Sequence, residues 1–209
     1  MMQGKTHNMV GISCALTATG IISGGDVSLP LIATSFIAGG LGSLVPDIDS
    51  KKSIGSSLLK RIIKIGMLLL LLYKFFYPYV CGESLQISSP ACITQSLLGW
   101  LPLFLIFLFG MNTHHRTFMH SFTVCIASTI CLYILLPSCA TYYLIGYVSH
   151  LLLDLLNKKR EQLLWPLSVG NVCLKLCAAD GIVDKTIFII ATTTSILLLL
   201  ILLSMSFFN

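Results

Sequence analysis

The sequence predicts an all-α protein, a polytopic bundle of about seven transmembrane helices. Of its 209 residues, 56% are apolar and only 10% are charged, whereas about a quarter of the residues of a soluble domain are charged. The apolar residues form long runs, and most charged residues lie between these runs. A soluble domain of this composition would have almost no polar surface. We therefore treat residues 1–209 as a single integral-membrane domain.

Seven apolar segments are long enough to cross a bilayer, or nearly so, since a crossing takes about 20 residues. In chain order they are 8–24, 29–45, 62–80, 95–112, 121–137, 140–157 and 186–208. Pro46 disfavours helical backbone at Val45, so the second helix is expected to end there. Pro166 and Gly170 interrupt the apolar stretch 163–179, which is predicted to lie in the membrane interface or re-enter the bilayer.

Lysine and arginine are unevenly distributed over the two sides that seven crossings would define. Only Lys74 of the thirteen lies toward the side opposite residue 1. The other twelve are Lys5, Lys51, Lys52, Lys60, Arg61, Lys64, Arg116, Lys158, Lys159, Arg160, Lys175 and Lys185. The positive-inside rule makes this basic side cytoplasmic. The net charge of +5 then reflects orientation in the bilayer, and no nucleic-acid partner is expected, because the chain has no basic patch rich in stacking side chains.

The residue types that bind metals fall on or near the same side. They comprise all five histidines and four aspartates: His7, His114, His115, His120, His150, Asp47, Asp49, Asp154 and Asp184. Ionisable residues in membrane segments are costly to bury and usually functional. Because segments far apart in sequence bring these side chains to one membrane depth, the sequence predicts a metal site at the cytoplasmic face.

Two short patterns support this site. His150 and Asp154 are four residues apart in a predicted helix, so both face one direction and can share a metal. A hydrogen bond between them at the helix end is the alternative. Asp47 and Asp49 are two apart in a segment that we expect to be extended, which would put both carboxylates on one side. Their alternative is a solvated turn whose aspartates cap a helix.

The segment HHRTFMHS, residues 114–121, carries three histidines and an arginine. His115 and His120 are five apart, about 140° around an ideal helix, so one of them must precede the helix if both bind one site. Thr117 is the expected N-cap. Arg116 supplies a planar cation suited to phosphate or carboxylate. For any one interfacial histidine, simple packing or snorkelling is the alternative.

These motifs, in this order, resemble the YdjM-like family of LexA-regulated inner-membrane proteins described as metal-dependent hydrolases. The matching pieces are THNMVG, PDIDS, HRTFMHS, GYVSHLLLDLL and LLWP. Asp184 is closest to the acidic residue that the family has before its last span, although that residue is usually glutamate. Thr117 also departs from the family, which typically has glycine there. The resemblance implies a bacterial inner-membrane location and a reaction class, but no substrate.

The order of ligands is also similar to that of zinc-dependent phospholipases C and related P1-type nucleases. That resemblance implies metal binding by His7, by Asp47 or Asp49, by His115 or His120, and by His150 and Asp154. Asp154 would bridge two metals. The later histidine-rich set that those enzymes use for a third metal is missing here.

We therefore expect a membrane-embedded hydrolase with one or two divalent cations held by imidazole and carboxylate, zinc foremost, with manganese or iron as alternatives. Asp47 or Asp49 could act as the base, and Arg116 would stabilise developing negative charge. A site at headgroup depth favours an amphiphilic phosphoester as substrate, with the lipid bilayer as the surrounding partner. The alternatives are a metal-ion transporter or sensor, and a non-catalytic membrane interaction protein whose histidines and aspartates only cap helices.

Overall fold

The computed structural model describes residues 2–50, 60–61, 64–66, 68–69, 72, 90–167, 171–177 and 181–208. The predicted all-α fold class is confirmed. The helices are α1 (Gly4–Ile22), α2 (Leu29–Leu44), α3 (Pro90–Gly110), α4 (Phe122–Leu135), α5 (Pro137–Leu155) and α6 (Ile182–Phe208). A 3₁₀ helix, Val45–Asp49, follows α2, and a short antiparallel hairpin pairs β1 (Glu161–Gln162) with β2 (Asn171–Val172). The predicted span 62–80 lies largely outside the described residues.

Local sequence explains where two helices begin or end. Helix α2 stops at Leu44, beside the predicted end at Val45. Val45 itself keeps helical backbone, but Pro46 has no N–H to donate the next α-helical hydrogen bond, and the chain continues as a 3₁₀ helix. The prediction of extended backbone for Asp47 and Asp49 was wrong, since both lie in the 3₁₀ helix. Thr117 is not the N-cap of α4. Ser121 is, and its hydroxyl accepts a hydrogen bond from the Val124 backbone N–H.

Helices α1, α2 and α5 pack unusually closely, because small residues face one another where they cross. A Cβ atom built on Gly39 would lie 2.4 Å from the Ala15 Cβ, and one on Gly146 would lie 2.1 Å from the Gly39 carbonyl oxygen. One on Gly42 would lie 2.2 Å from the Tyr143 carbonyl oxygen. Contacts of this kind let helix backbones approach closely, as they commonly do in membrane bundles.

The remaining helices pack around this centre. Helix α4 contacts both α3 and α5, and α6 packs mainly along α1. Much of the outer surface of α3 and α6 is apolar and exposed, for example Leu101, Phe104, Ile190 and Leu200. Such extensive apolar surface is expected for a protein surrounded by lipid.

Two helical stretches in the described part of the chain are long and apolar enough to cross a membrane, Leu29–Asp49 and Ile182–Phe207. Leu97–Gly110 and Phe122–Leu135 are apolar but shorter. By length and composition alone these two stretches are compatible with a membrane protein, and the seven crossings and the cytoplasmic orientation stay predictions.

Candidate metal centre

A cluster of histidine and acidic side chains lies at one end of the bundle, where several elements begin or end. His7 belongs to the first turns of α1, and the 3₁₀ helix after α2 carries both aspartates of the PDIDS motif. His115 and His120 lie in the loop before α4, and His150 and Asp154 in the last turns of α5. The fold thus brings together segments that are far apart in sequence, as the sequence predicted.

The cluster consists of four overlapping groups of three residues. Within each group, candidate ligand atoms all lie within 4.8 Å of one another. In the described part of the chain the groups are His7–His150–Asp154, Asp47–His120–His150, Asp49–His115–His120 and His120–Asp154–Glu161. Seven of the eight predicted metal ligands belong to these groups, and Glu161 is an addition.

The orientation of His150 follows from one hydrogen bond. Its Nδ1 lies 2.6 Å from the carbonyl oxygen of Ser43 at the end of α2. Because a carbonyl can only accept, Nδ1 carries the proton and Nε2 presents its lone pair. That Nε2 faces the cluster, 3.6 Å from Asp154 Oδ2. His150 and Asp154 therefore face the same direction, as their helical spacing predicted, and both side chains are fully buried.

Asp154 lies at the centre of the cluster, and its two carboxylate oxygens face different histidines. Oδ1 is 3.2 Å from His7 Nε2, and Oδ2 is 3.3 Å from His120 Nε2. The side-chain nitrogen Nδ2 of Asn157 donates to Asp154 Oδ1, and the side-chain oxygen Oδ1 of Asn157 accepts from the Met2 backbone N–H at 2.8 Å. Such outer contacts fix the direction of a metal-binding carboxylate.

Asp49 and Asp47 differ in how far the protein already engages them. Asp49 Oδ1 accepts from His115 Nδ1 at 2.6 Å, and Oδ2 accepts from the Arg116 backbone N–H at 3.2 Å. Asp49 thereby holds the loop before α4 in place. Asp47 Oδ1 is 3.8 Å from His120 Nε2, and its side chain is 15% exposed. His115 and His120 both precede α4, so their five-residue spacing does not keep them apart.

Arg116 supplies a fixed positive charge beside the cluster. Its backbone is left-handed, with φ of 72°, and its side chain is only 6% exposed. One guanidinium nitrogen donates to the Lys159 carbonyl at 2.9 Å and lies 3.4 Å from Glu161 Oε1. The other lies 3.6 Å from Asp154 Oδ2. Arg116 can therefore stabilise negative charge next to the candidate metal ligands.

Glu161 was missed from the sequence. It follows the basic run Lys158–Arg160, which is typical of a solvated loop, yet it is fully buried on β1. Burial, together with the adjacent Asp154 carboxylate, raises the pKa of Glu161 to about 9. Burial disfavours the charged form of His120, but the carboxylates of Asp154 and Asp49 outweigh this effect and raise its pKa well above the usual value.

The cluster fits a bound cation, because many of its buried polar atoms make no hydrogen bond. These atoms are His7 Nδ1 and Nε2, His120 Nδ1 and Nε2, His150 Nε2, Asp47 Oδ1, Asp154 Oδ2 and both carboxylate oxygens of Glu161. Leaving such groups unsatisfied in a protein interior is costly and rare. Imidazole with carboxylate suits Zn, Mn or Fe better than Ca. A divalent cation would satisfy several of these atoms at once.

Two residues singled out in the sequence lie outside the four groups. Asp184, proposed as a ligand, instead holds the start of α1: its carboxylate accepts from Thr6 Oγ1 at 2.7 Å and from the Gln3 backbone N–H at 3.3 Å. His114 is exposed, and its carbonyl oxygen accepts from Thr117 Oγ1. Asp184 lies in the first turn of α6, and its position in the sequence gave no indication of this different role.

Comparison with known proteins gives one match. The family described as YdjM inner membrane protein matches residues 2–208, which include every residue of the cluster. No curated protein and no solved structure matches the chain.

Proposed function

We propose, since the chain belongs to the YdjM inner membrane protein family, that it is a membrane-embedded, metal-dependent hydrolase acting on an amphiphilic phosphoester. One observation carries this proposal. Imidazole and carboxylate groups from five parts of the chain meet in a buried cluster with most of their inward atoms unsatisfied. A purely structural cluster would pair these atoms by hydrogen bonds.

The chain's own residues suit hydrolysis. When bound, a divalent cation supplies Lewis acidity and makes water more acidic. His7, His120, His150 and Asp154 would hold it. Asp47 is the better candidate for the base, because it is partly exposed and Asp49 is already engaged by His115 and the loop backbone. It would accept a proton from the attacking water.

Arg116 supports a phosphoester as the substrate. Its guanidinium group lies beside Asp154 and Glu161, and Nε and one terminal nitrogen make no hydrogen bond. A guanidinium fork is well suited to the oxygens of a phosphoryl group, whose negative charge grows during hydrolysis. Arg116 would bind this group beside the residues that would hold the cation.

The surroundings support an amphiphilic substrate. The exposed side chains of Lys158, Lys159 and Arg160 directly precede Glu161, and a basic run next to a membrane attracts anionic headgroups. The exposed apolar faces of α3 and α6 would be in contact with lipid. A lipid phosphoester would thus reach the cluster along the cytoplasmic leaflet.

Elemental analysis of the purified full chain, after reconstitution with Zn, Mn or Fe, tests the metal site. Wild type and His114→Ala, whose side chain lies outside the four groups, should retain a transition metal. His150→Ala should lose it while still inserting into membranes. Absence of metal from wild type, or normal metal content in His150→Ala, would remove the basis of the proposal.

Release of inorganic phosphate or of a phosphorylated headgroup from a panel of lipid phosphoesters tests the reaction. Metal-loaded wild type should cleave at least one of them, and His150→Ala none. A metal-loaded protein that cleaves none but carries metal ions across a liposome bilayer would instead be a transporter.

A further inference from the structure

The cluster offers more ligands than one cation can use. Its four groups contain eight residues, whereas a zinc ion binds about four protein ligands and hard divalent cations about six, water included. The group that contains His7 and the group that contains Glu161 share only Asp154. These two groups therefore define two neighbouring positions, one on the α1 side of Asp154 and one on the β1 side.

The carboxylate of Asp154 is oriented so that it could bind a cation at each of the two positions. Its Oδ1 faces His7 and its Oδ2 faces His120, at 3.2 Å and 3.3 Å. A carboxylate with one oxygen toward each of two ligand sets can bind a cation through each oxygen. Cations in two-metal sites lie about 3.5–4 Å apart, a separation that one bridging carboxylate can span.

Glu161 supplies the ligand that the second position needs. It shares a group with His120 and Asp154, is fully buried, and has no hydrogen-bond partner on either carboxylate oxygen. Arg116 lies 3.4 Å from one of these oxygens, so Glu161 could instead be a simple counter-ion. That role would leave its other oxygen buried and unsatisfied, which is costly.

The charge of the cluster also favours two cations. Its carboxylates, Asp47, Asp49, Asp154 and Glu161, carry four negative charges when ionised, against one positive charge from Arg116. One divalent cation would leave an excess of negative charge and repel an anionic substrate. Two would leave a single positive charge, which an anionic phosphoester would neutralise.

We infer that Glu161, which neither resemblance assigns, binds a second divalent cation together with His120, on the opposite side of Asp154 from a first cation held by His7 and His150. The inference rests on the metal site of the proposed function and not on its hydrolytic chemistry.

The full chain, stripped of metal in detergent and reconstituted with Mn²⁺, tests this assignment by metal analysis and electron paramagnetic resonance. Wild type should bind two equivalents and give the spectrum of a spin-coupled pair. Glu161→Gln should bind one equivalent and give the six-line spectrum of isolated Mn²⁺. Asp26→Asn, which changes an exposed carboxylate between α1 and α2, should match wild type.

The other possible results of this experiment also decide for or against Glu161 as a metal ligand. One equivalent in wild type, or two coupled equivalents in Glu161→Gln, would overturn the inference and leave Glu161 as the counter-ion of Arg116. If Glu161→Gln fails to fold, Glu161→Asp replaces it, because this variant keeps the charge but shortens the reach. Its second Mn²⁺ should bind at least about 10-fold more weakly, and unchanged affinity would reject the assignment. A coupled Mn²⁺ pair without phosphoester hydrolysis would uphold the inference while ending the proposed function.

Discussion

Gly146 on α5 is a position where a small change at a residue that is not itself a candidate metal ligand should disturb the site. A Cβ there would lie 2.1 Å from the Gly39 carbonyl oxygen and 3.0 Å from the Ser43 nitrogen. Nonbonded atoms need about 3.5 Å, so Gly146→Ala must push α5 away from α2 by about 1 Å or more at this crossing. The obstacle is backbone, so no side-chain rotation can relieve it.

That displacement reaches His150 one helical turn later. Its Nδ1 lies 2.6 Å from the Ser43 carbonyl, and a shift of about 1 Å would lengthen this contact beyond a hydrogen bond. Loss of such an orienting contact typically weakens metal binding about 10- to 100-fold. The strain itself should destabilise the fold by about 1–3 kcal/mol.

Competition with a metal chelator measures the affinity, and circular dichroism measures the helical content and melting temperature. The matched control is Gly20→Ala in α1, where the nearest atom to the new Cβ is 3.7 Å away. It should leave metal affinity unchanged. A folded Gly146→Ala protein with wild-type affinity would refute the idea that close packing of α2 and α5 positions His150.

Three further predictions concern the cluster and its supports. In the metal-free protein the pKa of Glu161 is about 9 instead of 4.5, so metal affinity should rise with pH toward 9, with proton release measurable by calorimetry in two buffers. The free energy of unfolding of the metal-free protein should fall as the pH rises toward 9, because the folded chain holds a proton on Glu161 that the unfolded chain has lost. Metal affinity and unfolding free energy that do not change with pH would contradict both statements. Arg116→Lys should keep its metal but lower kcat about 10²- to 10³-fold in a phosphoester assay, and full activity would exclude the guanidinium role. Tyr147→Phe leaves the buried Met119 carbonyl without its hydroxyl donor and should cost about 1–3 kcal/mol in thermal unfolding, whereas Tyr133→Phe, which is exposed, should cost nothing measurable.

Sequence was sufficient for features that depend on local geometry. The pairing of His150 with Asp154 follows from helical periodicity, and the end of α2 follows from Pro46. The all-α fold class follows from composition. In each of these cases the physical cause lies within a few residues of the feature, so a single sequence contains all the information that is needed.

The sequence was insufficient where contacts between distant parts of the chain determine the position of a side chain. Glu161 follows three basic residues, and only the packing of the hairpin against Arg116 buries it. Asp184 has the residue type and sequence position of a metal ligand, but its carboxylate accepts a hydrogen bond from Thr6 instead. Thr117 looked like an N-cap, although the loop continues to Ser121 because Asp49 holds its backbone. These outcomes depend on partners that are distant in sequence.

The hydrogen bond between Met2 and Asn157 joins positions 155 residues apart, and the cluster beside it draws on α1 as well as on the hairpin. During synthesis, the ribosome releases α1 long before Asp154 and Glu161 exist. Insertion of the early helices would therefore precede the complete cluster, and the metal binding proposed above would be a late step of biogenesis. A chain truncated before α5 would lack both His150 and Asp154, so it should insert but bind no metal at the cluster, and metal binding would then report that the molecule is fully assembled.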